Sequence, residues 1–529
     1  MYGNDESTGV FSTTLDSPME DGMYSYYACC PAPASLSGTN VAFKIPSTQD
    51  GTGSCDAMVS YPASHGPLQG HGAEDGLELR LKHLTHLWDF YLIDNDGLLD
   101  GEPVKSIEID LPRSITGDIT ADLATTAASY SADGSKTLNL DLENWLEVSS
   151  ADSKQYASAV VLPFTAEPGD FISMTLHTEN KTAKTEKILL GGRTFAAGHA
   201  TPVMLLPTSA TQIYNAYFTI AANHLGEDIQ TIRITGPAGC RFGDGGSNTW
   251  TCTPDEALAQ GGKIRLSYTN QADFMSISGK SISIEFESEN AIVSGNATIP
   301  AISGTSCNTD LTVPYLYFED FSGTTKSDEY DSTPTTSVPS AGNDKSVDLS
   351  GRGWPSGWYG ARCGIKKGDK IRLLVRGERA VWVPGSYNGR IDSPAMSNIK
   401  PGSSGVHLKV EFDFASGWNG SKDNTVNYYM AIGTHQTTGG INSVGGAGKK
   451  GLNMDNGSII YEDLTFVPGA SKMSKDTYPE TSDHFSCTTS QLCYKNSRIA
   501  WETYLKDNTG DGYYNFWVFI DNIRISIAK

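Results

Sequence analysis

The chain has 529 residues, a net charge of −22 and a pI near 4.8. One hydrophobic core does not organise that length, so several domains are expected. The acidity offers no basic footprint for a polyphosphate, which argues against nucleic acid as a partner, and no run of about 18 apolar residues is present to span a membrane as a helix.

The opening Met1–Gly9 is polar and acidic, which suits either a cytoplasmic protein or a chain whose export signal has been removed, and composition does not separate the two. From Tyr24 onwards strand signals dominate. Leu77–Lys82, Ile107–Leu111, Leu138–Leu142 and Ile282–Phe286 each alternate apolar with polar or charged residues. That period of two predicts antiparallel strands with one wet face, as in β-sandwiches. Helical periodicity is almost absent; Pro254–Gln260 is the one stretch suited to a helical turn or two. Thr201–Pro207 reads as a final strand leaving one sandwich, and Val313–Pro314 follows a second turn-rich break. The expected domains are therefore 1–207, 208–312 and 313–529, all of them β. Asp328–Lys345 and Gly433–Gly451 read as long loops inside the third. The last strand is predicted over Asn515–Ile525, with Trp517, Phe519, Asp521, Ile523 and Ile525 on one face.

Motifs for chemistry are few. Ser443–Lys450 imitates a phosphate loop but has Ser where the first Gly belongs and Lys where a magnesium-holding hydroxyl is needed. His83 and His86 fall on a strand, where positions three apart face opposite sides, so packed or surface histidines are expected rather than a metal pair. Asp94–Glu102 and Asp507–Gly512 carry calcium-loop residue types without the full spacing, and both suit plain turns. Nine cysteines are too few to frame the fold, although Cys240 with Cys252 and Cys487 with Cys493 are spaced for local bridges. Six of the nine tryptophans lie in the third segment. Trp501 and Trp517 sit on apparent strands and are expected in the core. Trp354, Trp358 and Tyr359 stand among Gly and Pro, where two readings are open: packed aromatics, or exposed faces that stack on sugar rings. Together with Trp382 and Trp418 they are the candidate ligand-binding residues.

The first two segments resemble the fimbrillin-like subunits of Bacteroides-type surface fimbriae. The residues that carry this are Tyr26-Tyr27-Ala28 with Pro31, Phe43–Gly51, Ser54–Val59, Leu79–Leu84, Gly117–Thr120 and Ala196–Val203. The resemblance implies two transthyretin-like β-sandwiches, export to the cell surface and outer membrane, and joining of subunits by strand exchange. No lipobox cysteine stands near the start, as expected of a trimmed chain. The third segment resembles the jelly-roll modules of bacterial surface proteins, through Tyr315–Phe321, Gly389–Pro394 and Phe519–Ile523. Related folds hold a structural calcium on the first and last strands, which makes Glu319, Asp320 and Asp521 the candidate ligands here; otherwise they are solvated carboxylates.

The expectation is an all-β tip or minor fimbrial adhesin, not an enzyme, partnered by other fimbrial subunits and by a glycan or host protein. The alternatives are a secreted carbohydrate-active enzyme and a purely structural fimbrial cap.

Overall fold

Alternating sequences become strands throughout the described residues. The computed structural model describes residues 24–65, 79–146, 156–253, 263–321, 347–350, 354–361, 363–366, 372–379, 390–418, 428–436, 458–466, 483–505 and 514–529. Among these, the one α-helix is the short Gln271–Met275. Pro254–Gln260, Trp382, Ser443–Lys450 and Asp507–Gly512 lie outside the described residues. The chain divides into two compact units, Met1–Tyr214 with Tyr268–Asn270, and Asn215–Ser267 with Gln271–Lys529.

In the first unit, one sheet runs Pro207–Gln212, Lys181–Thr185, Phe171–His177, Val104–Asp110, Thr137–Leu146 and Thr48–Gln49. A second joins Ala127–Ala132, Gly117–Asp122, Asn40–Ile45 and Ser35–Ser37. Between them sits a three-stranded sheet of Tyr156–Val161, His86–Leu92 and Ala200–Leu205, the last two parallel. Its central strand is buried on both faces. Trp88, Phe90 and Leu92 join one core with Ile107, Leu140 and Leu176, whereas Leu87 joins another with Val41, Phe43 and Ile119. Two-sided burial is what a parallel pair ordinarily requires. The chain does not leave the sandwich at Pro207: it crosses directly into the strand Pro207–Gln212, which pairs with Lys181–Thr185.

The second unit contains both later segments. Thr249–Cys252, Ile229–Thr235, Ser281–Ser288 and Ile292–Thr298 form one sheet, and Lys263–Tyr268, Tyr214–Asn223 and Ser306–Val313 another. Ile232, Ile234, Ile284 and Phe286 fill the space between them, together with Phe218 and Leu311. The third segment is a sandwich of two six-stranded sheets, one centred on Tyr514–Ile527 and the other on Arg390–Asp392, Arg498–Leu505 and Tyr428–His435. Trp358, Trp501 and Phe412 pack between them, with Trp501 6.3 Å from Trp358 and 6.1 Å from Phe412. Backbone bonds fasten this sandwich to the preceding one: Ile527 N–H donates to Leu225 O at 2.7 Å, Ile292 to Asn398 O and Lys400 to Asn290 O. The approach is close enough to demand glycine at 226, because a Cβ there would lie 2.0 Å from the Ile527 carbonyl oxygen, at a φ of +94°.

Two expectations need correction, and one plain turn is as expected. The last strand does not present Asp521 with Ile523 and Ile525 on one face. Asn522 adopts φ 49°, and the pairing with Leu408–Trp418 slips by one residue between Glu411 and Asp413, so a β-bulge resets the alternation. Ile520, Ile523 and Ile525 are all fully buried as a result, and Asp521 is only half-buried. Neither local disulfide forms: Cys240 and Cys252 direct their thiols at the carbonyls of Ser276 and Ile232, and Cys487 and Cys493 are separate thiols. The stretch Asp94–Glu102 is a turn closed by its own first residue, because the Asp94 carboxylate accepts the N–H groups of Leu98 and Leu99 at 2.9 and 2.8 Å.

Candidate functional site

Among the described residues, two places depart clearly from the ordinary rule of apolar inside and polar outside. The first is an apolar cleft of about 240 Å³ in the first unit. Its floor is Trp88, Ile172, Leu190, Phe195 and Val203, all buried core residues. Phe195 stacks on Phe164 at 4.7 Å and meets Trp88 edge-on at 5.8 Å, which holds the floor rigid. Leu189 and Met204 stand at the rim, 69% and 39% exposed. The cleft follows from strand connectivity. Ile188–Leu189 swings away to pair with Phe171–Ile172, whereas Ala200–Leu205 stays with His86–Leu92 and ends its sheet.

That edge strand has backbone to spare. His199 O and Leu205 O accept from Leu87 and Ile93, so odd-numbered residues face the neighbouring strand and Ala200, Pro202 and Met204 face away. Pro202 lacks an N–H, as residues at a sheet edge often do. The indole N–H of Trp88 is buried beside the cleft with no hydrogen-bond partner. An extended apolar segment with free carbonyls would meet all of these features.

The two histidines nearby do not share one strand as expected: His83 ends Leu81–His83 and His86 opens His86–Leu92, which belong to different sheets. His86 is buried, bonded to Ala196 O and Thr201 Oγ1, and desolvation holds its pKa below the ordinary value. His83 is half-buried against Asp56 at 2.6 Å, and that hydrogen bond raises its pKa. They do not share a ligand site.

The second place is in the third segment. Trp358 is fully buried, its indole N–H donating to Tyr317 Oη at 2.9 Å, so of its two readings the packed aromatic holds and it does not offer an exposed face to a ligand. Trp354 and Tyr359 are half-buried. The Arg498 guanidinium lies 4.8 Å from the Tyr359 ring centre. Trp418 lies on the strand Leu408–Trp418, opposite Phe516.

Strand register puts Tyr359, Arg390, Asp392, Glu502, Arg498 and His435 on the sheet face that looks away from the Trp358/Trp501 core. Arg390 bonds Asp392 Oδ1 through Nε and Nη2 at 3.0 and 2.8 Å, His435 Nε2 reaches the same oxygen at 3.2 Å, and Arg390 Nη1 lies 3.8 Å from Glu502. Arg390, Asp392 and Glu502 have no exposed surface and His435 has 1%. Burial pushes the Asp392 pKa up, but the charge of Arg390 and the bond to His435 outweigh it and hold the carboxyl below its ordinary range. Sequence spacing does not reveal this cluster, since 43 residues separate Asp392 from His435. The one local sign is the pair of charges, Arg390 and Asp392, placed two apart on an otherwise apolar strand.

The three candidate calcium ligands lie close enough for their like charges to repel. Burial raises the Glu319 pKa first, and the charges of Asp320 and Asp521 raise it further, against a 2.6 Å bond from the Phe321 N–H. Among the described residues, no three His, Cys, Asp or Glu side chains form a group with metal-binding geometry.

No protein-family model matches the chain, and no curated protein does. Solved structures that are similar in part include the following three. A candidate cell adhesion protein from Bacteroides uniformis has 13% identity over 36% of this chain and 71% of its own, with a TM-score of 0.25. The K1 cleaved adhesin domain of Lys-gingipain from Porphyromonas gingivalis has 13% identity over 40% of this chain and 98% of its own, with a TM-score of 0.20. SGBP-B from a complex xyloglucan utilization locus in Bacteroides uniformis has 10% identity over 81% of this chain and 96% of its own, with a TM-score of 0.18. At these scores the likenesses carry no argument about the sites. Among the described residues, no helix is long and apolar enough to cross a membrane.

Proposed function

We propose that this chain is a cell-surface adhesin, a tip or minor subunit of a fimbrium, which takes up a strand from a neighbouring subunit and holds a glycan or host protein on its third segment. The observation that carries the reading is the cleft: an apolar floor, an edge strand with outward backbone groups, and a buried indole N–H awaiting an acceptor. A strand alternating apolar and polar residues would place side chains between Leu189 and Met204 onto Phe195 and Val203. Its carbonyls would accept from Met204 N–H and Trp88 Nε1, which is β-augmentation with a hydrophobic anchor. Adhesion is also the activity named for two of the similar structures.

Calorimetry with short peptides tests this directly. A peptide alternating Ile with Thr should bind, a block peptide of the same composition should not, and Met204→Arg should abolish the binding. Equal binding of both peptides, or of neither, would sink the strand-uptake reading. The ligand reading assigns Trp354 and Tyr359 to contact and Glu319, Asp320 and Asp521 to calcium. Glycan-array binding by the whole chain should then fall on Trp354→Ala and with chelator.

A further inference from the structure

The strand Ala127–Ala132 is the outermost of its four-stranded sheet; it pairs with Gly117–Asp122 and, among the described residues, with no strand on its other side. Asp133 N–H donates to Thr116 O, and Leu123 N–H donates to Thr39 O. With the strand register, these bonds turn Ser129 and Ser131 towards the neighbouring strand and the N–H and C=O groups of Ala128, Tyr130 and Ala132 towards the open edge. Such an edge is ordinarily guarded by charge, proline or a bulge. Here no charged residue or proline lies between Asp122 and Asp133, and the pairing runs from Ala127 to Ala132 without a register shift. Ser129, Tyr130, Ser131 and Ala132 are exposed. Tyr130 Oη donates to Leu84 O at 3.1 Å and Ala128 packs against the core, which holds the strand in place from its inner side.

We propose that this edge is a self-recognition surface, at which two copies of the chain pair antiparallel about a twofold axis through Tyr130. The order Ala128-Ser129-Tyr130-Ser131-Ala132 reads the same in both directions. A twofold pairs residue i with j and j with i, and the palindrome makes every pair like with like. Ala128 meets the second copy's Ala132, Ser129 meets its Ser131, and Tyr130 meets itself. The outward groups of Ala128, Tyr130 and Ala132 then fall in register as hydrogen-bonded pairs, giving about six backbone bonds. Ser129 and Ser131 take the closer, non-hydrogen-bonded positions, where hydroxyls bond across the seam. Charge agrees at the ends. Lys82 Nζ donates to Thr126 O at one end, Asp133 stands at the other, and Asp122 is held in its own turn by Ala124 N–H and Thr125 Oγ1. The axis therefore sets the Lys82 of each copy towards the Asp133 of the other. An unrelated strand would gain the backbone bonds without these matched pairs. One strand pair buries less than the roughly 1,200 Å² of a stable complex, so the contact is weak, with a Kd of about 0.1 mM, and gains strength where many copies are held together. This edge belongs to a different sheet from the apolar cleft and does not depend on strand uptake.

The test is analytical ultracentrifugation of the full chain over about 1–500 µM, where the mean mass should rise reversibly from monomer towards dimer. Ser129→Lys with Ser131→Lys sets ammonium against ammonium twice across the axis and should weaken the dimer by about tenfold or more. Both side chains are exposed, so the thermal midpoint should match the parent. This variant also lowers the net negative charge, so general repulsion would favour its association rather than oppose it. Ser129→Glu with Ser131→Lys sets carboxylate against ammonium at the same positions and should restore the dimer to parent affinity or tighter. Loss in the first variant and recovery in the second identify both the edge and its register. A monomer at every concentration, a dimer that the double-lysine variant leaves unchanged, a Glu/Lys variant no tighter than the double-lysine one, or growth past the dimer would each overturn the inference.

Discussion

The cleft of the first unit and the polar face of the third segment are opposite violations of the same rule. In the cleft, apolar side chains that should be covered are open: Leu189 and Met204 face solvent above a floor of core aromatics. On the polar face, charges that should be solvated are sealed: Arg390, Asp392 and Glu502 have no exposed surface. Open apolar surface costs the folded chain little, because the unfolded chain exposes it too, and its free energy is recovered when a partner covers it. Sealed charge costs several kcal/mol per ion, recovered only while every partner is in place. The first arrangement tolerates change and waits for a binding event, whereas the second is intolerant and rigid.

The comparison breaks most sharply at Arg390. Arg390→Met removes the two guanidinium bonds to the buried Asp392 carboxylate and should cost about 3–5 kcal/mol, read as an earlier urea transition of the second unit. If Arg390→Met, Asp392→Leu and Glu502→Met together recover most of that loss, the charges are not needed for stability. Acid is the next lever. The Asp392 carboxyl is held below its ordinary value of 3.8, so its contribution is fully present above that pH and is lost as pH falls through the folded value. The transition of the second unit should therefore weaken on acidification below about pH 4, and an unchanged midpoint there would contradict the burial of this ion.

Smaller effects sharpen the contrast. Trp358→Phe removes the bond to Tyr317 and part of a packed ring, for an expected loss of about 1–2 kcal/mol by chemical denaturation. His83 has a folded pKa raised above the ordinary 6.5, so its pairing with Asp56 stabilises below that value and is lost as pH rises through the folded one. The pair is partly exposed, so Asp56→Asn should lower stability by under about 1 kcal/mol at pH 6, and by less at pH 8. Least of all, Leu189→Ser at the cleft rim should change stability by no more than about 0.5 kcal/mol while weakening uptake of the alternating peptide. A large destabilisation there would mean that the rim is part of the core.

Much of the fold could be read locally. Ile107–Leu111, Leu138–Leu142 and Ile282–Phe286 alternate as strands should, and the structure places Ile107, Ile109, Leu138, Leu140, Ile282 and Ile284 in the core. The opposed fates of His83 and His86 did not follow from that period, because the strand breaks between them and each joins a different sheet. The site was far less readable. Trp358 and Tyr359 are adjacent in a Gly/Pro-rich stretch, and composition alone does not say that the first enters the core while the second lines the other face of its sheet. The edge position of Ala200–Leu205 is likewise silent in its residues, apart from Pro202.

The amino-acid sequence by itself determined the β architecture, the strand periods and the acidic surface, because alternation, turn chemistry and charge are properties of neighbouring residues. Only the tertiary structure decided that Asn522 bulges the final strand, that Arg390 meets Glu502 across a sheet, and that a cleft opens between Leu189 and Met204. Those outcomes depend on which strands pair and in what register, and a shift of one residue would send every one of these side chains to the opposite face.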